Sequence, residues 1–300
     1  MYRIAVYEDR NRKDANISVA TSALRQYVKK HADCVFVPYD AFRLVDCEYA
    51  VVWGSDTMKR KKKDKSPRRL EVYAHQKRKG GVVVCVEMGF LDRTRNFSVS
   101  LWDIVGYGDY SMNLPPPPVP RRSFVPEITD LHHDPEGHTL FCQQKPKDAQ
   151  IRGVHYMTWM KETVEALLSE GERVVFRRHP KLTPREHGST TALLETIKGN
   201  GNMVESENRL LDDDLMGCAK VVAYNSNSLL EACLRRVPIV CLGPGSVVAS
   251  LASASLESPA RRPTDAELNR VLNCVTWYQW SVEDIRKGLP FRFTARDQNS

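Results

Sequence analysis

Four stretches of this sequence combine residue types that can do chemistry. Glu87-Met88-Gly89 follows an apolar run, Val82 to Val86, that reads as a strand. The stretch Arg177, Arg178, His179, Pro180 and Lys181 closes a second such run, Arg173 to Arg177. Ser226-Asn227-Ser228 follows a third, Lys220 to Tyr224, and opens a helix whose Ser228-x-x-Glu231 spacing fits a capping box. A polar turn that opens a helix at the carboxyl end of a parallel strand is where α/β folds hold phosphates. The fourth stretch reads KRKKKDKSPRR, with Lys59, Arg60, Lys61, Lys62, Lys63, Lys65, Arg68 and Arg69 around a single Asp64. Such a run suits contact with a phosphate backbone. Each stretch also has a plainer explanation. The serine turn can simply be a well-capped helix start, His179 a turn residue, Glu87 a partner of its own loop, and the basic run a solvated loop.

The elements that must position these groups alternate. Strands are expected at Arg3–Tyr7, Cys34–Pro38, Tyr49–Trp53 and Val82–Val86, and helices at Ile17–Lys30 and Pro67–Lys79. Ser111 to Pro126 contains four consecutive prolines and reads as a semi-rigid spacer. Alternation then resumes, with strands at His138–Gln143, Arg173–Arg177, Asn202–Glu205, Lys220–Tyr224 and Pro238–Leu242. Helices are expected at Gly153–Ser169, Thr190–Lys198, Leu210–Cys218, from Ser228, at Asp265–Cys274 and at Ser281–Lys287. A parallel sheet with helices on both faces is the economical fold for each half. The division read from the sequence is 1–114, linker 115–126, 127–280, and a final helix and tail 281–300. Trp277, Tyr278 and Trp280 read as a packing anchor that returns the tail to the first domain.

Composition narrows the class. The chain has 300 residues, a net charge of +7 and 42% hydrophobic content, enough for two ordinary cores. No apolar run approaches the roughly 20 residues of a membrane span, so no integral membrane partner is expected. MYRIAVYEDR reads as a first strand, not a signal peptide. Eight cysteines without C-x-x-C pairs read as buried free thiols in a reducing cytoplasm, that of a host if the chain is viral. His132-His133-Asp134 lacks a third spaced ligand and is not taken as a metal site. No P-loop, G-x-S-x-G or H-E-x-x-H occurs, and the second half has no G-x-G-x-x-G, which argues against a dehydrogenase.

Two α/β halves joined by a stiff linker resemble the two-domain nucleotide-sugar glycosyltransferases called GT-B, whose two Rossmann-like domains face a cleft. Bacterial capsule polysaccharide transferases and related sialyltransferases carry three motifs: an acidic one ending in Gly, a His-Pro pair and a serine turn. Glu87-Met88-Gly89, His179-Pro180 and Ser226-Asn227-Ser228 resemble these in order and strand context. The resemblance implies a nucleotide-sugar co-substrate and no other cofactor, with metal dependence left open. It implies Glu87 as base and His179 as a catalytic partner. Donor-binding groups would be Arg177, Arg178, Lys181, Ser226, Asn227, Ser228 and Glu231, the last two of which the capping box explains equally. Those families commonly have two adjacent acids where this chain has Glu87 and Met88, so Glu8 and Asp9 stay open as alternative bases.

Phage DNA glucosyltransferases share the GT-B architecture. A compact basic chain with a lysine-rich run on its acceptor-side domain fits that role, and DNA carrying 5-hydroxymethylpyrimidine is the preferred acceptor. A surface or capsule polysaccharide is the alternative acceptor. A non-catalytic nucleic-acid-binding protein on a degenerate GT-B scaffold is the alternative of another class.

Overall fold

The computed structural model describes residues 1–8, 15–54, 68–103, 126–148, 150–197, 201–207 and 210–291. Asp9, the basic residues Lys59, Arg60, Lys61, Lys62, Lys63 and Lys65, the linker 115–125 and the tail from 292 lie outside them.

The first sheet begins with β1 (Tyr2–Glu8), α1 (Ala15–Val28), β2 (Cys34–Pro38), β3 (Cys47–Trp53), α2 (Arg68–Lys79) and β4 (Val82–Met88). These four strands pair in parallel. Their apolar runs are continuous because both faces are covered. Ile4, Val6, Val51, Val84 and Val86 share one core with Ala20 and Leu24 of α1. Ala5, Ala50, Val52, Val83 and Cys85 share the other with Val72 and Tyr73 of α2. Two strands of this sheet went unforeseen, the first of them directly after β4. β5 (Asn96–Leu101) runs antiparallel to β4, with Glu87 opposite Ser98. Its polar–apolar alternation, NFSVSL, is a strand signal. Its serines are nonetheless buried, and Ser98 Oγ donates to Met88 O at 3.3 Å.

The second sheet contains β6 (His138–Cys142), β7 (Val174–Arg177), β8 (Met203–Glu205), β9 (Cys218–Ala223) and β10 (Ile239–Cys241), all parallel, in the order β10-β9-β6-β7-β8. The helices are α3 (Tyr156–Ser169), α4 (Pro184–Ile197), α5 (Leu211–Leu215), α6 (Ser228–Leu234) and α7 (Asp265–Tyr278). Phe141 stacks on Phe176 at 5.4 Å between ring centres, in a core with Met160, Val164 and Leu167 of α3. α4 starts earlier than expected because Thr183-Pro184-Arg185-Glu186 forms a capping box. Glu186 Oε2 accepts from the Thr183 backbone at 2.9 Å, and Thr183 Oγ1 accepts from the Glu186 N–H at 3.3 Å.

After α7 the chain returns to the first sheet. β11 (Gln279–Ser281) pairs antiparallel with β5, placing Trp280 opposite Phe97, and α8 (Val282–Arg286) packs on α1. The order of the first sheet is therefore β11-β5-β4-β3-β1-β2. The chain divides into two compact units, Met1–Val125 with Leu272–Ser300, and Pro126–Val271. The second ends inside α7 rather than at the residue 280 boundary read from the sequence. Trp280 is buried in the first core, so the tryptophan cluster anchors the returning segment as expected. The S-x-E-D start of α8 is a capping box, with Ser281 Oγ accepting from Asp284 N–H at 3.1 Å. All eight cysteines are free and buried. Among the described residues no helix is long and apolar enough to cross a membrane.

Candidate active site

Each sheet has a strand from which the chain departs in both directions. In the first, β1 lies between β2 and β3; in the second, β6 lies between β7 and β9. Ligands of open α/β sheets bind at the carboxyl ends of strands near such reversals. In the first unit Glu8 ends β1, Gly54 follows β3 and Glu87 lies at the end of β4.

Glu87 shares the face of Val83 and Cys85, which α2 covers, because side chains alternate along a strand. The floor beside it is Gly54, whose φ of +77° suits only a residue without Cβ strain. A Cβ there would lie 2.8 Å from Glu87 Oε1 and 3.1 Å from Arg69 Nη1. The carboxylate and the guanidinium thus both border the space that glycine leaves. Glu87 Oε2 lies 3.4 Å from the Met88 N–H. Glu8 is placed differently: its carboxylate accepts from Arg25 of α1, with Nε at 3.1 Å.

Gly89 also has a physical reason. A Cβ at this position would sit 2.7 Å from Asn96 O and 2.8 Å from Gln279 Oε1. Gln279, fully buried on β11, accepts from the Phe90 and Leu91 N–H groups at 2.8 and 2.9 Å and donates to Leu91 O at 2.8 Å. The returning strand therefore clamps the loop that follows Glu87.

In the second unit the reversal point is closed by two buried amides. Gln144 Nε2 donates to Asn225 Oδ1, and Asn225 N–H donates to Gln144 Oε1 at 3.1 Å. Asn225 Nδ2 donates to the carbonyls of Gln150 and Pro244 at 2.8 and 2.6 Å. Asn225 thereby fixes the start of the turn Ser226-Asn227-Ser228. The capping box expected at Ser228 is not formed. Asn227 holds the cap position of α6, the Ser228 hydroxyl donates to Ser226 Oγ at 2.9 Å, and Glu231 Oε1 accepts from Asn227 Nδ2 at 3.3 Å. The turn starts one residue earlier than the S-x-x-E spacing suggests, so the serine side chains serve each other.

At the end of β7, His179 Nδ1 accepts from the Lys181 N–H at 3.1 Å, which places the proton of a neutral ring on Nε2. The neighbouring arginines face carboxylates within the unit. Arg177 pairs with Asp214, which is buried and also accepts from Ser206 Oγ at 2.7 and 2.8 Å. Arg178 forks onto Glu205, with Nη2 to Oε2 at 2.9 Å, and donates to His187 O at 3.0 Å. The sequence shows the arginines but not their partners, which come from separate elements. Lys145 and Lys147, directly after the β6 run, were passed over. Burial alone would raise the Glu186 carboxyl, but the Thr183 hydrogen bonds and these two lysines outweigh it and hold its pKa below the usual value. Neither lysine, nor Lys181, makes a direct ion pair among the described residues.

No protein-family model matches the sequence, and no curated protein does. Solved structures do. Thermosulfurimonas dismutans KpsC, a beta Kdo 2,4 transferase, is 14% identical over 96% of this chain and 98% of its own, with a TM-score of 0.54. The beta Kdo 2,7 transferase of the same KpsC is 14% identical over 97% and 99%, with a TM-score of 0.52. The fold is GT-B-like. In this GT-B-like chain each parallel-sheet unit presents its candidate residues at strand carboxyl ends. Glu87 and Arg69 belong to the first unit; His179, Lys181, Lys145, Lys147 and the serine turn belong to the second. Two residues of the basic run are built into the first unit: Arg69 beside Glu87, and Arg68 over the Phe42 ring at 5.4 Å. The pair His132-His133 is used locally, with His133 Nε2 on Ala219 O at 3.1 Å. Among the described residues no three His, Cys, Asp or Glu cluster as a metal site.

Proposed function

We propose that this chain is a glycosyltransferase that moves a sugar from a nucleotide-sugar donor to a hydroxyl of a glycan acceptor, as in capsule-type polysaccharides. The observation that carries the reading is Glu87. It is a carboxylate at the end of β4, beside an arginine, in a fold similar to two Kdo transferases. In this reading Glu87 takes the proton of the acceptor hydroxyl as its oxygen attacks the anomeric carbon. The bond from that carbon to the donor phosphate breaks, and its electron pair leaves with the nucleotide. His179 donates from Nε2 to the leaving phosphate, and Lys181, Lys145 and Lys147 supply charge that Arg177 and Arg178 already share with carboxylates. The polar turn at Ser226 to Ser228 completes the donor side, and the nucleotide sugar is the only co-substrate invoked.

DNA bearing hydroxymethylated bases is a second acceptor reading, favoured by the run from Lys59 to Arg69. One experiment separates them. The chain is incubated with a panel of nucleotide sugars and either a polysaccharide-derived oligosaccharide or hydroxymethylated DNA, and product mass is read. A mass gain on the oligosaccharide is expected. Gain on DNA nucleosides alone would replace the glycan reading with the DNA one. Absence of donor turnover and of nucleotide binding would overturn both and favour a non-catalytic nucleic-acid-binding protein.

A further inference from the structure

Arg69 belongs by sequence to the basic run, yet its side chain is directed inward. It lies in the first turn of α2, the helix that covers the face of the first sheet from which Glu87 projects. Its guanidinium and the Glu87 carboxylate both border the space above Gly54, where a Cβ would be 3.1 Å from Arg69 Nη1 and 2.8 Å from Glu87 Oε1. The buried Cys85 thiol, two residues before Glu87, lies in the field of both charges. We propose that Arg69 is a positioning residue for Glu87: it holds Oε1, fixes the plane of the carboxylate and leaves Oε2 on the Met88 side. A planar guanidinium suits this because its fork matches a carboxylate, where a lysine offers a point charge. Gly54 is part of the device, since any larger residue there would fill the space that the two groups border. The functional half of this inference rests on Glu87 being the base; the structural half does not.

The test is a pair of double-mutant cycles on the full chain. Urea unfolding of wild type, Arg69→Met, Glu87→Gln and the double variant reads the contact without any ligand. The expected coupling is about tenfold in the unfolding equilibrium constant, within the range of contacting charged pairs. Additive effects would overturn the inference. Transfer is then followed with the nucleotide sugar that the panel identifies. Arg69→Met should lower kcat by about tenfold or more while the donor KM changes less than about twofold, and Arg69→Lys should recover part of the loss. In the Glu87→Gln background Arg69→Met should cost nothing further, because a residue that acts through Glu87 has nothing left to position. A full additional loss there would also overturn the inference. Wild-type turnover in Glu87→Gln would remove the base assignment, while the unfolding cycle would still decide whether Arg69 holds that carboxylate.

Discussion

At the scale of residues, most of the chemistry depends on which charges are already matched. Glu87→Gln keeps the shape of the site and removes the proton acceptor. Transfer should fall by about a hundredfold or more, as for loss of a general base, with nucleotide affinity retained. Isothermal titration alongside the transfer assay checks both. On the donor side, Lys181→Ala with His179→Ala should weaken nucleotide binding and leave the urea midpoint unchanged. Asp214→Ala should do the reverse. It leaves Arg177 without its buried partner, and breaking such a pair typically costs about 3–5 kcal/mol, measurable by urea unfolding. The sequence singled out Arg177 and Arg178 on type and position alone. Their partners lie tens of residues downstream: Glu205 ends β8, which pairs with β7, and Asp214 comes from α5, so only the folded chain brings them close.

At the scale of elements, the strands that make the parallel cores were legible because continuous apolar runs leave little choice. β2 was read to the residue, and β1, β3 and β4 to within two residues at either end. β5 was missed because its buried serines mimic a loop, and with it went the reason for Gly89. That glycine looked like a motif letter; it is a steric requirement imposed by Asn96 and Gln279. The start of α4 was legible in Thr183-x-x-Glu186 but passed over, whereas the similar-looking Ser228-x-x-Glu231 forms no box. Spacing alone does not decide, because the capping residue must itself take an extended backbone, and Ser228 is already the first residue of α6, behind a helical Asn227. Thr183→Ala should therefore lower stability by about 1 kcal/mol, the usual worth of such a cap. Ser228→Ala should lower it less, and thermal melts compare the two. Gln279→Leu removes both the acceptor for two backbone amides, one buried and one part-buried, and the donor to Leu91. A loss of about 1–3 kcal/mol is expected from the orphaned groups. Hydrogen exchange at Phe90 and Leu91 should quicken with it.

At the scale of the whole molecule, the eight thiols behave as core residues. Burial pushes Cys85, Cys142 and Cys218 up to about 12 and Cys34 to about 11. A raised folded pKa contributes stability that is full below the unfolded value of about 8.5 and is lost as pH climbs toward the folded one. The urea midpoint should be lower at pH 10 than at pH 7.5, and a thiol reagent at pH 8 should react with the native chain only as fast as it opens. The net charge of +7 bears on the acceptor. Replacing Lys61, Lys62 and Lys63 with serine should flatten the salt dependence of DNA binding by a slope of roughly 0.9 per lost phosphate contact, if DNA is held there. An unchanged slope favours the glycan. The strand from Gln279 to Ser281 has a consequence for the order in which the protein is made. A ribosome releases all of residues 126–271 before it releases the strand that pairs with β5. Until then the first-born sheet waits with an unpaired edge, and the loop after Glu87 has no glutamine to hold it. The unit that is begun before the second is therefore finished after it, and the loop after Glu87 is held only when the strand from Gln279 has folded back onto β5.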